Sequence, residues 1–243
     1  MAAKGKGLRM LFRQLFEPQS SAFTYLVACD ETGRAALIDP VLETVERDLQ
    51  LLRELGLTLE CTIETHIHAD HVTGAARLRS ETGCRAAVPE KSGASHADIA
   101  VRDGEPIVIG TLSVQPLYTP GHTDDHHAYF LDRGAGRLFT GDALLIDGCG
   151  RTDFQNGDAA TLYRSVHDKL FALPPDTLVY PGHDYQQRHV STVGQERERN
   201  PRLGGGKTLE DFVAIMAALD LPRPKKMDVA VPANRACGGL QIV

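Results

Sequence analysis

The chain of 243 residues is long enough for one large domain or two small ones, and its 42% hydrophobic and 24% charged residues are ordinary for a globular protein. A formal net charge of -6 argues against nucleic acid or an anionic membrane surface as the main partner. Every apolar run falls short of the ~20 residues that a membrane-spanning helix needs.

Strands and helices are predicted to alternate along the chain. We expect residues 1–7 to form a flexible tail with weak transit-peptide character, followed by a single domain over 8–243. Apolar, β-prone runs predict strands at 23–28, 35–39, 59–65, 113–119, 127–131, 137–142 and 177–183. Helical spacing and capping residues predict helices at 43–56, 73–83, 157–173 and 208–219. The short strands of mixed polarity favour an α/β (α+β) sandwich layered αββα over a helix–sheet–helix arrangement.

The glycine-rich segment 203–207 imitates the end of a phosphate-binding loop. Gly206, Lys207 and Thr208 match its last positions, but Pro201 stands where the pattern requires glycine. We therefore expect a loop before a helix and no nucleotide site.

The motif THIHADH at residues 65–71 directly follows a predicted strand and holds four side chains that can bind metal: His66, His68, Asp70 and His71. His66 and His68 point the same way on an extended backbone, because side chains alternate along a strand. Three of the ten histidines within six positions are poorly explained as a polar surface loop. The crowding predicts a metal site at this strand end.

Three later strand ends carry one further metal-type side chain each. They are His122 in TPGHT, Asp142 in FTGD and His183 in YPGHD. Taken alone, each could be a turn residue or a hydrogen-bonded polar group. Four such strand ends in one chain together predict a single metal site at one edge of the sheets.

The ordered pattern H-x-H-x-D-H followed by His, Asp and His resembles the metallo-β-lactamase superfamily, whose fold is an αββα sandwich. In its two-zinc members a bridging hydroxide attacks an ester, amide or thioester. The resemblance implies His66, His68 and His122 at one metal, Asp70, His71 and His183 at a second, and Asp142 between them.

Four segments, 141–157 with GCGRTDFQ, 180–185, 191–203 and 231–238 with PANRACG, further resemble the persulfide dioxygenase family of sulfur dioxygenases. This resemblance implies oxidation of glutathione persulfide by O2 to sulfite and glutathione, as part of hydrogen sulfide metabolism. It implies one Fe(II) per chain, bound by His66, His122 and Asp142, which are thus the catalytic residues. Such a facial triad leaves about three coordination positions free, and zinc cannot replace iron because it has no redox chemistry.

The other ligand-type residues need a different role under this reading. His68, Asp70, His71 and His183 either orient water and the first ligands, which we favour, or hold a second metal. His126 and His127 lie close to the motif of His122, and we expect them to begin a strand.

Cationic side chains are required for the two carboxylates of glutathione. Arg151 is predicted either to clamp a carboxylate or to form a structural salt bridge. Tyr185 is predicted either to donate a hydrogen bond to substrate or to lie in the core, and Arg235 is a weaker substrate candidate. We expect Asp184 to anchor its loop.

Cysteine usage and the resemblance bear on compartment and partners. Five scattered cysteines without a C-x-x-C pair indicate a reducing compartment, either a bacterial cytoplasm or a mitochondrial matrix. We expect Cys149 and Cys237 to pack rather than to relay persulfide. A homodimer and a separate rhodanese-type sulfurtransferase are the expected protein partners, with no nucleic acid and no membrane.

Two other classes of function remain open from the sequence. One is a dinuclear zinc thioester hydrolase of the glyoxalase II type. The other is a non-catalytic metal-dependent module, which the intact set of seven ligand-type residues disfavours.

Overall fold

Two six-stranded sheets face each other in the computed structural model, which describes residues 10–239. The predicted tail at 1–7 lies outside the described residues. The first sheet has the order β1 to β6: Met10–Glu17, Ala22–Cys29, Arg34–Ile38, Thr58–Ile63, Arg85–Pro89 and Ile99–Val101. The second sheet contains, in chain order β7 to β12, Ile107–Ile109, Leu112–Tyr118, His127–Leu131, Arg137–Gly141, Leu178–Pro181 and Ser191–Thr192.

Helices cover the outer faces of both sheets. They are α1 to α6: Val45–Glu54, Ala75–Thr82, Ala159–Ser165, Val193–Arg199, Leu209–Ala217 and Met227–Arg235. A central apolar cluster with Tyr25, Tyr129 and Phe139 fills the space between the sheets. Leu49 of α1 packs on the outside of the first sheet, and Phe212 of α5 packs on the outside of the second. The predicted αββα sandwich is confirmed.

Parallel strand pairing brings the predicted ligands to one edge. In the first sheet β3, β4 and β5 run parallel, so the residues that follow β3 and β4 lie at the same end. In the second sheet β10 runs parallel to β11, while β9 runs antiparallel to both β8 and β10. The ends of β8, β10 and β11 therefore meet the beginning of β9 at this edge. This topology therefore places four residues at the same edge: His122, His126, Asp142 and His183.

Each predicted strand and helix is present in the structure. Asp158 caps α3 by accepting the N–H of Thr161, and Thr208 forms a capping box with Asp211. A π-helical turn over Val166–Leu170 continues α3 along the predicted helix. The segment 204–207 is a turn before α5, as expected.

Five strands and two helices of the structure are not among the predicted elements. Strand β1 has eight residues, whereas β5, β6, β7 and β12 have two to five residues each. Helix α4 is largely polar, and α6 contains Pro232, which normally signals a helix end. In the described part of the chain, no helix is both long and apolar enough to cross a membrane.

Candidate metal centre

His66, His122 and Asp142 form what we call the first ligand group. One ligand atom from each residue lies within 4.8 Å of the other two. His66 is almost fully buried, whereas His122 and Asp142 keep side-chain exposures of 13% and 14%. The group is therefore open to solvent on the side of His122 and Asp142.

His66 is held in one tautomer by its neighbour Thr65. The Thr65 hydroxyl donates to Asp39 Oδ2 at 2.8 Å, so it accepts the Nδ1–H of His66, 2.9 Å away. Burial lowers the pKa of His66 well below its usual value, and the neighbouring His68 and His122 lower it further. His66 is thus neutral, with the lone pair of Nε2 free for a metal.

His122 and Asp142 are fixed by loops of the second sheet. His122 Nδ1 lies 2.6 Å from the carbonyl oxygen of Arg151, to which it must donate, leaving Nε2 as the metal-facing atom. His122 Nε2 lies 3.5 Å from Asp142 Oδ2. The backbone N–H of Asp142 donates to Nε2 of the buried His126 at 3.2 Å.

His126 is consequently a support for Asp142 and not a ligand. Burial lowers the pKa of His126 well below its usual value, and its Nδ1 pairs with the Thr119 hydroxyl at 2.9 Å. His127 is the first residue of β9 and His126 directly precedes it, so the expectation that they begin a strand is confirmed for His127.

Asp70, His71 and His183 form what we call the second ligand group. His71 Nδ1 donates to Asp70 Oδ2 at 2.9 Å, and His183 Nε2 lies 3.5 Å from the same oxygen. Burial opposes protonation of His183, but Asp142 and Asp70 together raise its pKa. Burial would raise the pKa of Asp70, but His71 and His183 hold it well below its usual value. His71 is thus oriented within the group, whereas His183 Nδ1 donates to the carbonyl oxygen of Ser20 at 3.2 Å.

His68 lies next to the second group, with one ligand atom within 4.8 Å of those of Asp70 and His71, and two buried carboxylates hold its ring. Its Nε2 lies 3.1 Å from Asp39 Oδ1 and 3.4 Å from Glu64 Oε2. Burial opposes protonation of His68, but these carboxylates raise its pKa well above the usual value. Asp39 and Glu64 were missed by the sequence analysis, although both close neighbouring parallel strands at the edge of the site.

Several buried atoms at this edge suit a cation. Among the described residues, Asp142 Oδ1, His71 Nε2 and His68 Nδ1 are buried without a hydrogen-bond partner. A buried polar atom without a partner is costly, and all three atoms can donate a lone pair to a metal. The residues present thus fit a metal ion, and the chain has a metal-binding His/Asp site.

The predicted substrate contacts fall in different places. The Arg151 guanidinium pairs with both carboxylate oxygens of Asp153 at 2.6 and 2.7 Å and donates to the carbonyls of Pro222 and Leu221. These contacts favour the structural alternative for Arg151, while its role in substrate binding stays a prediction. Tyr185 is 78% exposed and stacks on His183, so the alternative that it lies in the core is wrong.

Asp184 anchors the loop that carries Tyr185, as expected. It accepts the backbone N–H groups of Gln186 and Arg188 at 2.8 and 3.0 Å and pairs with the Arg188 side chain. Arg188 also pairs with Asp147 and donates to the carbonyl of Ile146. The loop after His183 is thus tied to the loop after Asp142.

Arg235 lines a cavity of about 310 Å³ beside the metal-binding loop. The wall includes Ile67, which lies between His66 and His68, together with Lys91 and Asp124. Both basic side chains are exposed and lie where an anionic group could enter. This placement is compatible with the prediction for Arg235.

The five cysteines are all free and buried. Burial raises the pKa of Cys149 to about 11 and also raises that of Cys237. A thiol that is buried and protonated is a poor nucleophile. The packing role expected for Cys149 and Cys237 is supported.

Comparisons with known proteins identify the family of the chain. Residues 18–183 match the metallo-β-lactamase superfamily model. The human mitochondrial persulfide dioxygenase ETHE1 is 52% identical over 235 residues, covering 96% of this chain and 91% of the human protein. The crystal structure of ETHE1 from Myxococcus xanthus superposes with a TM-score of 0.90 at 53% identity, covering 94% of this chain and 99% of that one.

A hydrolase relative is more distant and partial. The hydroxyacylglutathione hydrolase of a Polaromonas species is 38% identical over 171 residues, covering 69% of this chain and 64% of the hydrolase. The match to the human protein is closer and spans nearly the whole chain. The chain therefore belongs to the persulfide dioxygenase family of the metallo-β-lactamase superfamily.

Proposed function

We propose that this protein is a glutathione-dependent persulfide dioxygenase with one non-haem Fe(II) per chain. The observation that carries the proposal is the first ligand group, in which two imidazoles and one carboxylate converge within 4.8 Å. Two histidines and one carboxylate are the donor set of non-haem Fe(II) oxygenases. The high identity to a persulfide dioxygenase supports the choice of substrate.

The overall reaction is glutathione persulfide plus O2 plus water to glutathione plus sulfite and protons. Bound iron would supply open coordination positions for the persulfide sulfur and O2, together with the redox chemistry between them. The protein supplies the fixed tautomers of His66 and His122, the negative charge of Asp142, and the contacts that hold the substrate.

Substrate contacts are proposed at two places, next to His183 and in the cavity lined by Ile67. Tyr185 exposes its phenol next to His183, where it can donate a hydrogen bond to a bound ligand. Arg235, with Lys91 beside it in the same cavity, is proposed to meet a carboxylate of glutathione.

Arg151 is kept as a second candidate for a carboxylate contact. Its guanidinium already bridges Asp153 and two carbonyls, so substrate would have to share these donors. A homodimer and a separate sulfurtransferase that forms the persulfide remain part of the proposal. The five free cysteines support a reducing compartment, a bacterial cytoplasm or a mitochondrial matrix.

A dinuclear zinc thioester hydrolase is the alternative function. The observation in its favour is that the second ligand group lies next to the first, with His183 Nε2 3.7 Å from Asp142 Oδ1. Two metals with a bridging hydroxide would suit attack on a thioester carbonyl.

Metal analysis of protein purified without oxygen separates the two functions. We expect about one iron per chain in the active protein and little zinc. Two tightly bound zinc ions per active chain, with thioester hydrolysis, would overturn the proposal and favour the hydrolase.

A further inference from the structure

Ile67 links the metal-binding His66 to His68, and its peptide groups are held by two other loops. Its N–H donates to Asp125 Oδ2 at 3.0 Å. Its carbonyl oxygen accepts from the side-chain amide of Gln155 at 2.7 Å. Because these groups belong to the peptides on either side of Ile67, the two contacts fix the backbone from which His66 projects.

Gln155 has a left-handed backbone conformation, which is energetically unfavourable for a residue other than glycine. Gln155 has a φ of 49° and the next residue, Asn156, a φ of 57°, both in the left-handed region that disfavours non-glycine residues. The Asn156 side chain donates to Asp124 Oδ2 at 2.8 Å, and the N–H of Asp124 points to the carbonyl of Gln155 at 3.4 Å. The loop with His122 thus holds this strained turn, which directs the Gln155 amide at Ile67.

The opposite end of the same loop supports the other histidine of the first ligand group. The carbonyl of Arg151 accepts the Nδ1–H of His122. A Cβ atom at Gly150 would lie 2.7 Å from His122 Nδ1, and one at Gly157 would lie 2.8 Å from the carbonyl oxygen of His122. The loop between these two glycines therefore packs so closely against His122 that only glycine fits at both ends.

We propose that Gln155 is a positioning residue of the metal site. Its amide fixes the carbonyl of Ile67 and thereby the direction of His66, while Arg151, in the same loop, fixes the ring of His122 through its carbonyl. One segment thus sets the relative placement of two ligands that come from different sheets. The inference rests on the proposed function only in requiring that the first ligand group holds a metal.

The competing explanation is that the Gln155 amide merely satisfies a buried carbonyl. Two matched variants distinguish these roles. Gln155→Gly removes the amide and places glycine at a left-handed position, and Asn156→Gly makes the same backbone change at a residue whose side chain contacts Asp124. Any difference in behaviour between the two variants therefore isolates the effect of removing the Gln155 amide.

The measurement is the rate at which iron-loaded protein loses Fe(II) to a chelator, with the melting temperature of each metal-free variant as a second readout. We expect Gln155→Gly to lose iron about 10–100-fold faster than Asn156→Gly, since supports of metal ligands commonly have effects of this size. Asn156→Gly removes the contact with Asp124 that supports the turn but keeps the Gln155 amide, so its rate should rise only slightly above that of the unmodified protein. The visible spectrum of cobalt-substituted protein should change more in Gln155→Gly than in Asn156→Gly.

Equal rates of iron loss in the two variants, or an unchanged rate in Gln155→Gly, would overturn the proposal. If Gln155→Gly fails to fold, Gln155→Glu decides, because it keeps the shape of the side chain but loses the donor when ionised. An unchanged rate of iron loss in that variant would also overturn it. None of these measurements uses persulfide, so their failure is distinct from a failure of the proposed reaction.

Discussion

The two ligand groups contain the same kinds of side chain but differ in their partners. In the first group, the hydrogen bonds that orient the histidines come from outside: the Thr65 hydroxyl and the Arg151 carbonyl. In the second group, Asp70 takes the Nδ1–H of His71 and lies beside His183. Both histidines of the first group are thus oriented by residues that are not ligands, whereas in the second group His71 is oriented by a fellow member, Asp70, and His183 by the carbonyl of Ser20.

The pKa values of one histidine from each group also shift in opposite directions. Burial lowers the pKa of His66, whereas the carboxylates of Asp142 and Asp70 raise that of His183 against the effect of its burial. A neutral imidazole can bind metal, and a protonated one cannot. The difference teaches that the partners of a ligand-type residue decide how strongly a proton competes with a metal for its nitrogen.

The largest expected effect comes from removing a member of the first group. His122→Ala and Asp142→Ala should each abolish iron binding and oxygen consumption, because two remaining ligands make a poor chelate. Metal analysis after gel filtration, with oxygen uptake on the same samples, checks this. Near-normal iron content in either variant would break the distinction between the groups.

His183→Ala removes a member of the second group and should leave iron content close to that of the unmodified protein. Oxidation should slow by about 10–100-fold, the range common for residues that orient ligands and bound water. His71→Ala serves as a matched variant in the same group. Loss of iron together with activity in both variants would mean that the second group binds the metal directly.

Arg235→Ala tests a contact that lies outside both groups. Loss of a charged hydrogen bond to a carboxylate costs about 1.5–3 kcal/mol, so KM for glutathione persulfide should rise about 10-fold or more. Iron content and kcat should stay nearly unchanged. Steady-state oxygen uptake checks this, and an unchanged KM would remove Arg235 from the substrate site.

Arg151→Lys should have the smallest kinetic effect, because the structure assigns the guanidinium to Asp153 and two carbonyls. The first group uses only the backbone carbonyl of Arg151, so iron content should be unchanged. Lysine loses the planar fork, and the melting temperature should fall by a few degrees. A raised KM at constant melting temperature would instead make Arg151 a substrate contact.

The sequence predicts the sandwich and the edge at which the ligands meet, because strand ends are visible as apolar runs that stop at glycine turns. It also supplies His66, His122 and Asp142 as candidates. It does not reveal that His126 supports the Asp142 backbone, since this follows from the antiparallel start of β9 beside the end of β10.

The partners that orient the ligands are equally hidden. Gln155 is 88 positions from Ile67, and its contact depends on two left-handed residues that no local pattern predicts. Asp39 and Glu64 carry a weak signal as acidic residues closing neighbouring strands. The sequence does not decide between a substrate contact and a core position for Tyr185, because one aromatic residue after a turn fits both.

Oxygen uptake by iron-loaded protein tests the central claim most directly. The account predicts rapid O2 consumption with glutathione persulfide, none above background with glutathione alone, and sulfite formed in proportion to the oxygen used. The same sample should hydrolyse S-lactoylglutathione poorly. Identical oxygen traces with and without persulfide, together with brisk thioester cleavage by the iron-free zinc protein, would contradict the account.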